Sequence, residues 1–218
     1  MKLSKKSLDS LKTFANINSN FLFKEGTKQK TVAIANNIFA DVEFDEEIPQ
    51  DFGIYNLNEF LGAISLFSDP QIEFSGSTVI LSDATKGGSS LKYVAAEVDI
   101  LHVPTKEIKV STYEAEFELD YDSLTTIQKA SAVIGAPDVN VTIKNNTVTL
   151  TVCNKKNKNA NDFSLKLPCT GKDGTFSLKV EHLKLMPGSH TVSVSLEKCF
   201  SRFTNSEANS NTFVAHEL

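Results

Sequence analysis

The sequence predicts an α+β protein of two domains, and three observations carry that reading. With 40% apolar and 22% charged residues among 218, the chain has enough apolar material for a core and too little charge for disorder. Short runs with period-2 alternation, bounded by Gly and Asn, recur along its length and read as hairpin strands. A unit of one strand, one helix and about three further strands starts four times. Its strand ends at Leu3, Ile54, Leu119 and Leu178 are separated by 51, 65 and 59 residues. The widest interval contains Asp99 to Thr112, with Pro104, Lys106 and Lys109, and is the expected linker, which sets the domains at 1–105 and 106–218.

The first unit opens with a strand start at Lys2-Leu3, a cap at Ser4 and a helix with Leu8, Leu11 and Ala15 on one stripe and Phe14 beside it. Lys5 and Lys12 are seven apart and so share a face, to which Lys2, Lys6, Asp9 and Asn16 also belong at 100° per residue. A solvated face is the plain explanation of such a pattern. Strands follow at Phe21 to Lys24, Thr31 to Ala35 and Ile38 to Phe44, with turns at Gly26 and Asn36-Asn37.

The second unit runs from Phe52-Gly53-Ile54-Tyr55 through a cap at Asn56 into a helix carrying Leu57, Phe60, Leu61 and Ile64, ended by Ser68-Asp69-Pro70. Strands are expected at Gln71 to Phe74, Thr78 to Leu81 and Ser90 to Ala95. The third unit begins at Ala115 to Leu119 and passes through Asp120 into a helix with Leu124, Ile127, Ser131 and Ile134 on one side and Lys129 on the other. Val139 to Ile143 and Thr147 to Cys153 form a hairpin about Asn145-Asn146. The fourth begins at Thr175 to Lys179, continues as a short helix through Leu183 and Met186 to Pro187-Gly188, and finishes in strands at His190 to Leu196, Cys199 to Thr204 and Thr212 to His216.

Charge narrows the function classes. The net charge of -5 excludes a globally basic nucleic-acid binder, so contact with DNA or RNA would need a local patch. Residues 1–17 sum to +3, whereas residues 41–60 hold Asp41, Glu43, Asp45, Glu46, Glu47, Asp51 and Glu59 without a single Lys or Arg. Only Arg202 among 22 cations is an arginine. Lysine lacks the planar fork that reads guanine edges, so sequence-specific DNA readout is disfavoured. No apolar run approaches the ~20 residues a membrane helix needs, and Met1 to Lys6 leads into no apolar signal core, which predicts neither membrane insertion nor secretion.

Catalytic and metal chemistry is equally thin. Cys153, Cys169 and Cys199 are odd in number without CxxC spacing, and read as packing residues of a reducing compartment. His102, His182, His190 and His216 lack HxH or HExxH spacing, and His182 and His190 read as surface residues rather than zinc ligands. Thr170-Gly171-Lys172-Asp173 lacks the upstream glycine and following hydroxyl of a phosphate loop and reads as a solvent-facing turn, with Gly87-Gly88-Ser89-Ser90 another loop. Glu46-Glu47 and Asp120 with Asp122 make carboxylate pairs on paper, but capping explains Asp120. No enzyme, metal or cofactor is expected.

The opening MKLSKKSLDSLKTFANINSN and the segment IYNLNEFLGAISLF resemble the sliding clamps of T4-type bacteriophages, with weaker support from the interdomain stretch and from KLMPG at Lys184 to Gly188. The resemblance implies an α+β chain of two clamp-type domains, each with two helices on antiparallel sheets, assembling as a homotrimer into a closed ring around double-stranded DNA without sequence specificity. It implies a processivity factor that tethers the phage replicative DNA polymerase, is opened by an ATP-driven clamp loader, and serves late-transcription factors in the bacterial host cytoplasm.

Carried onto matching positions, the DNA-facing role falls on Lys2, Lys5, Lys6, Lys12 and Lys129, with Lys179 and Lys184 around the fourth helix. The second helix departs from a basic lining, since its polar face offers Asn58, Gly62 and Ser65 with Glu59 at its margin. Ring closure by edge-strand pairing implies Leu91 and Tyr93 in Ser90 to Ala95, and Phe163 and Leu165 in Asp162 to Leu167, with Lys155, Lys156 and Lys158 nearby. A partner-peptide groove near the connector would use Ile108, Val110, Phe200, Phe213 and Ala215, although each of them taken singly reads as ordinary core. The alternative is a strand-rich phage structural or assembly protein that forms edge-strand oligomers without a basic channel. A third reading, an enzyme, would require clustered carboxylates at a substrate pocket.

Overall fold

The computed structural model describes residues 1–85, 88–105, 108–110, 112–157 and 159–217. The chain divides into two compact units, Met1–Lys106 and Glu107–Leu218. The first unit contains α1 (Lys5–Ile17), β1 (Phe21–Phe23), β2 (Gly26–Val32), β3 (Ile38–Ile48), β4 (Phe52–Ile54), α2 (Leu57–Ser65), β5 (Pro70–Ser75), β6 (Thr78–Asp83) and β7 (Ser90–Val94). Here β1 pairs with β4, β2 with β3, and β5, β6 and β7 form a meander, all antiparallel.

Helix α1 starts where Ser4 accepts a hydrogen bond from the Ser7 N–H. Its buried face combines the expected Leu11, Phe14 and Ala15 with Ile17 and with Ser7, Ser10 and Thr13. These small residues let the helix lie against β2 and β3. Their hydroxyls are satisfied locally, Ser10 donating to the Lys6 carbonyl at 2.9 Å and Thr13 to that of Asp9 at 3.1 Å. Under the helices sits a chain of phenylalanines, with Phe21 on Phe23 at 4.9 Å and Phe23 on Phe60 at 5.9 Å between ring centroids, both edge to face.

The second unit contains β8 (Ala115–Leu119), α3 (Tyr121–Ile134), β9 (Asp138–Lys144), β10 (Thr147–Cys153), β11 (Phe163–Gly171), β12 (Gly174–Lys179), β13 (His190–Ser195), β14 (Phe200–Asn205) and β15 (Ser210–Ala215). Its strands lie in the order β12-β9-β10-β11-β8-β13-β14-β15. Asn145 and Asn146 both take positive φ, 51° and 58°, as the two-residue turn between β9 and β10 requires. The core here is mainly aliphatic: Val139, Val141, Val148, Leu150, Val152, Val192 and Val194 pack with Leu124 and Ile127 of α3, with Phe117, Phe176 and Phe203 among them.

Several expectations change. Lys2-Leu3 forms no strand; instead Met1 exchanges two hydrogen bonds with Ile72 of β5, each 2.7 Å, through its terminal amine and its carbonyl. The strand expected from Thr31 to Ala35 begins earlier, at Gly26, and ends at Val32, because Gln29 is buried and keeps the inward phase that an apolar residue would normally mark. The fourth helix is a single 3-10 turn, Val180–His182, after which Leu183 and Met186 are buried from irregular backbone. Pro187-Gly188 forbids any continuation. His190 is not a surface residue but 1% exposed, and Cys199 is not packed but exposed, in the β13–β14 turn at φ 55°. The Gly87 part of the expected loop lies outside the described residues.

The TGKD segment is the turn from β11 to β12, where Gly171 takes φ 109° and a Cβ would stand 2.3 Å from the Glu114 carbonyl oxygen. Among the described residues no cluster of His, Cys, Asp and Glu could hold a metal ion, and no helix is long and apolar enough to cross a membrane.

Candidate functional site

Four cations of the first segment stand on or beside α1. Lys5 and Lys12 are exposed, seven residues apart on one face, opposite the buried stripe. Lys12 pairs with Asp9 at 2.9 Å, Lys6 with Asp45 at 3.3 Å, and Lys2 with Asp69. The charge signs that are segregated along the sequence therefore meet in the fold. Part of the acidic run reaches the start of α1, where Glu46 accepts from the Ser4 N–H and from the Ser7 hydroxyl. The carboxylate reinforces the cap at the positive end of the helix dipole, and it dilutes the positive charge of Lys6.

The remaining cations lie in the second unit. Lys129 is exposed on α3, whose buried residues are Leu124 and Ile127. Lys179 is tied to the buried Asp138 by an ion pair. Burial alone would raise the Asp138 carboxyl, but the hydrogen bonds from Lys179 and from the Lys155 N–H, with both ammonium charges, outweigh it and hold that carboxyl below its ordinary value. Lys179 therefore braces β12 against β9. Lys184 is half-buried, just beyond the 3-10 turn.

Among the described residues, each unit has a strand with an edge that no other strand covers. β7 pairs only with β6, at the margin of its sheet. β11 pairs with β10 from Phe163 to Pro168, whereas β8 covers its other side only from Cys169 to Gly171. Among the described residues the outer edge of Phe163 to Pro168 is thus without a partner strand. The side chains named for the interface point elsewhere: Leu91 and Tyr93 pack on the first core, Tyr93 edge to face on Phe60 at 5.1 Å, and Phe163 and Leu165 pack on the second. What these strands expose are Lys92 and Val94 on one and Ser164 and Lys166 on the other. Lys155 and Lys156 are near the second edge, and Lys158 lies outside the described residues.

Phe200, Phe213 and Ala215 come together on one face of the β14–β15 hairpin, where Phe200 faces Ala215 and Arg202 faces Phe213. On this face Phe213 is buried and Phe200 and Ala215 are half-buried, while the opposite face sends Phe203 and Val214 into the second core. Tyr113 completes the surface, edge to face with Phe200 at 6.2 Å, and the Arg202 guanidinium lies 4.5 Å from the Tyr113 ring centroid. Phe200 and Phe213 are 5.9 Å apart. Ile108 is exposed and Val110 half-buried in the segment before Tyr113. Sequence reasoning missed Tyr113 and Arg202, although the one arginine in the chain, two residues from Phe200 on an alternating strand, was a signal.

Each of the two units thus combines an open strand edge with a helix that carries exposed lysine on its outer face. Residues 2–85 match the sequence profile of the family described as DNA polymerase processivity factor. Over 201 residues the chain is 26% identical to the sliding clamp of Vibrio phage KVP40, covering 89% of this chain and 90% of that protein. It is 29% identical over 198 residues to the sliding clamp of Enterobacteria phage T4, covering 87% and 85%. Among solved structures it is similar to the proliferating cellular nuclear antigen of Entamoeba histolytica, with a TM-score of 0.71 at 18% identity over 97% of this chain and 95% of that one. The PCNA2-PCNA3 complex of Sulfolobus tokodaii gives 0.69 at 11%, over 97% and 96%.

The fold and these similarities define a processivity-clamp class of protein. Within that class the chain is similar to the T4-type phage sliding clamps over nearly nine-tenths of its length, as its opening segment and its IYNLNEFLGAISLF segment implied.

Proposed function

We propose that three copies of this chain close into a ring that encircles duplex DNA and tethers the phage replicative polymerase. Each compact unit is one clamp domain. The observation that carries this reading is the similarity to phage sliding clamps across nearly nine-tenths of the chain. Ring closure then pairs the open edge of β7 in one copy with the open edge of Phe163 to Pro168 in the next, continuing both sheets.

The lining comprises the exposed Lys5 and Lys12 of α1 and Lys129 of α3, flanked by Lys2, Lys6, Lys179 and Lys184. Lysines bind phosphate without sequence preference and lose strength as salt rises, which suits a protein held by topology and free to move. The partner-peptide surface is the Tyr113, Phe200, Phe213 and Ala215 face with Ile108 and Val110. The ring has no catalytic centre or cofactor of its own, works in the host cytoplasm, is opened by an ATP-driven loader and also tethers late-transcription factors.

The test is primer extension on a primed single-stranded circle with the phage polymerase and clamp loader, under a trap that prevents rebinding. Product length should rise severalfold when the chain is added. Products of unchanged length would favour the structural or assembly protein.

A further inference from the structure

The backbone phase of the two open edges restricts how they can join. Just past β7 the Ala95 N–H donates to the Ser77 carbonyl at 2.9 Å, on the β6 side. Because N–H and C=O groups turn to alternate sides along a strand, Leu91 and Tyr93 bond β6, while Ser90, Lys92 and Val94 direct theirs to the open edge. On β11 the Cys169 N–H donates to the Asn146 carbonyl at 3.0 Å, on the β10 side, so Ser164, Lys166 and Pro168 face the open edge. Both stretches are bounded: the Gly53 carbonyl takes the Ala96 N–H beyond one, and β8 covers Cys169 to Gly171 beyond the other.

The strand pairs described within each unit are antiparallel, and in such a pair the residues that exchange both bonds stand directly opposite each other. Lys92 can therefore oppose Ser164, Lys166 or Pro168. Opposite Ser164, it leaves Val94 beyond the end of β11; opposite Pro168, it sets Ser90 against Thr170, which β8 already pairs through Glu116. Opposite Lys166, the whole of β7 is used, with Ser90 across from Pro168 and Val94 across from Ser164. That register forms about five interstrand bonds, since Pro168 lacks an N–H.

We propose that closure sets Lys92 of one copy directly opposite Lys166 of the next, a like-charge pair that opposes closure and ties the ring's affinity to ionic strength. This inference rests on the ring proposed above. Both side chains are exposed, on the sheet faces turned away from the cores that take Leu91, Tyr93, Phe163 and Leu165. Opposed residues of a hydrogen-bonded pair lie about 5.5 Å apart at Cα, and like charges so placed are destabilising. The row of residues created across the joined sheets reads Glu73, Ile80, Lys92, then Lys166, Thr149, Thr142. Its one carboxylate, Glu73, is two strands from Lys92, about 10 Å, where solvent and salt screen it more than the adjacent ammonium. Lys155 and Lys156, exposed ahead of β11, add positive charge to the same side of the join. Backbone bonds therefore close the ring against a charge repulsion placed at the middle of the join.

The test is a charge-reversal cycle on the full-length protein, read as the concentration of half-assembly by sedimentation velocity. K92E and K166E should each lower that concentration at least severalfold, because each turns the pair into an attractive one, and the double variant K92E/K166E should return to within about threefold of the starting protein. Raising salt from ~20 to ~500 mM should weaken assembly more steeply in the single variants than in the unaltered chain. A short amine-reactive crosslinker, applied to isotope-labelled and unlabelled chains assembled together, should join Lys92 of one copy to Lys166 of another, a readout that needs no variant. The proposal is overturned, with the ring intact, if the protein forms trimers and either single reversal leaves assembly unchanged or weakens it, if the double variant is as tight as the single ones, or if Lys92 is joined to other lysines and not to Lys166. Strict monomers in every variant at high concentration would overturn the ring itself.

Discussion

The Ser7 hydroxyl donates to the Glu46 carboxylate at 2.6 Å, joining the first turn of α1 to the end of β3 across 39 residues of sequence. The same carboxylate takes the Ser4 N–H, so one side chain from the acidic run secures the start of the helix that carries Lys5 and Lys12. Removing it leaves an unsatisfied N–H and hydroxyl at a helix terminus. Glu46→Ala should lower stability by about 1–2 kcal/mol in urea denaturation, and Glu46→Gln by less. An unchanged midpoint for Glu46→Ala would show that the cap contributes nothing.

Acid should destabilise the protein in two stages. Burial lowers the pKa of His190 and of His216, each to about 4 from an ordinary value near 6.5. His216 stacks on Phe176 at 3.8 Å and bonds through Nε2 to the Ser201 hydroxyl. Both rings are neutral when folded and take up protons on unfolding, so their stabilisation is complete above pH 6.5 and is lost as the pH falls from there towards 4. For His190 the loss is on the order of 3 kcal/mol. Asp51 and Asp138, whose carboxyls are held below their ordinary 3.8, lose their contribution only at lower pH. Stability measured by urea titration across pH 7 to 4 should therefore fall in the histidine window, and His216→Gln should flatten part of that fall.

Charge reversal on the proposed lining should act through salt. Lys5→Glu combined with Lys129→Glu should reduce polymerase stimulation several-fold at ~150 mM salt and less at low salt, with melting temperature unchanged because both side chains are exposed. Normal processive synthesis at every salt concentration would remove these residues from the lining.

In solution the mass should depend on concentration. Light scattering should give about three times the 23.9 kDa chain mass at high concentration, falling on dilution as the edge-strand contacts come apart. A strictly monomeric protein at high concentration would leave no ring to encircle DNA.

The parts of the fold legible in sequence are those where local chemistry and burial agree. Asn145-Asn146 demanded a tight turn, Asp120 capped α3 by accepting the Ser123 N–H, and the alternation from Thr147 to Cys153 matched β10 residue for residue. Where polar residues do the work of apolar ones, the pattern misled. Gln29 is fully buried in a run reading Lys-Gln-Lys, and Ser7, Ser10 and Thr13 form the packing face of α1, which no hydrophobic period reveals. The fourth helix was misjudged because Leu183 and Met186 are buried without being helical. The strands expected at the interface have open edges, yet period 2 sends Leu91 and Tyr93 to their own core, so backbone and not those side chains is what an edge offers. The Tyr113–Arg202 contact joins residues 89 positions apart, so that Arg202 stands out in the sequence as the one arginine while nothing local points to Tyr113 as its partner.

The most direct test of the clamp is topological. The protein is loaded onto a nicked circular plasmid with the phage clamp loader and ATP, separated from free protein by gel filtration, and followed again after a restriction enzyme linearises the DNA. The account predicts retention on the circle and loss from the linear form, because nothing but closure holds the ring in place. Equal retention on both forms would mean that the chain grips DNA rather than encircles it, and would contradict the account.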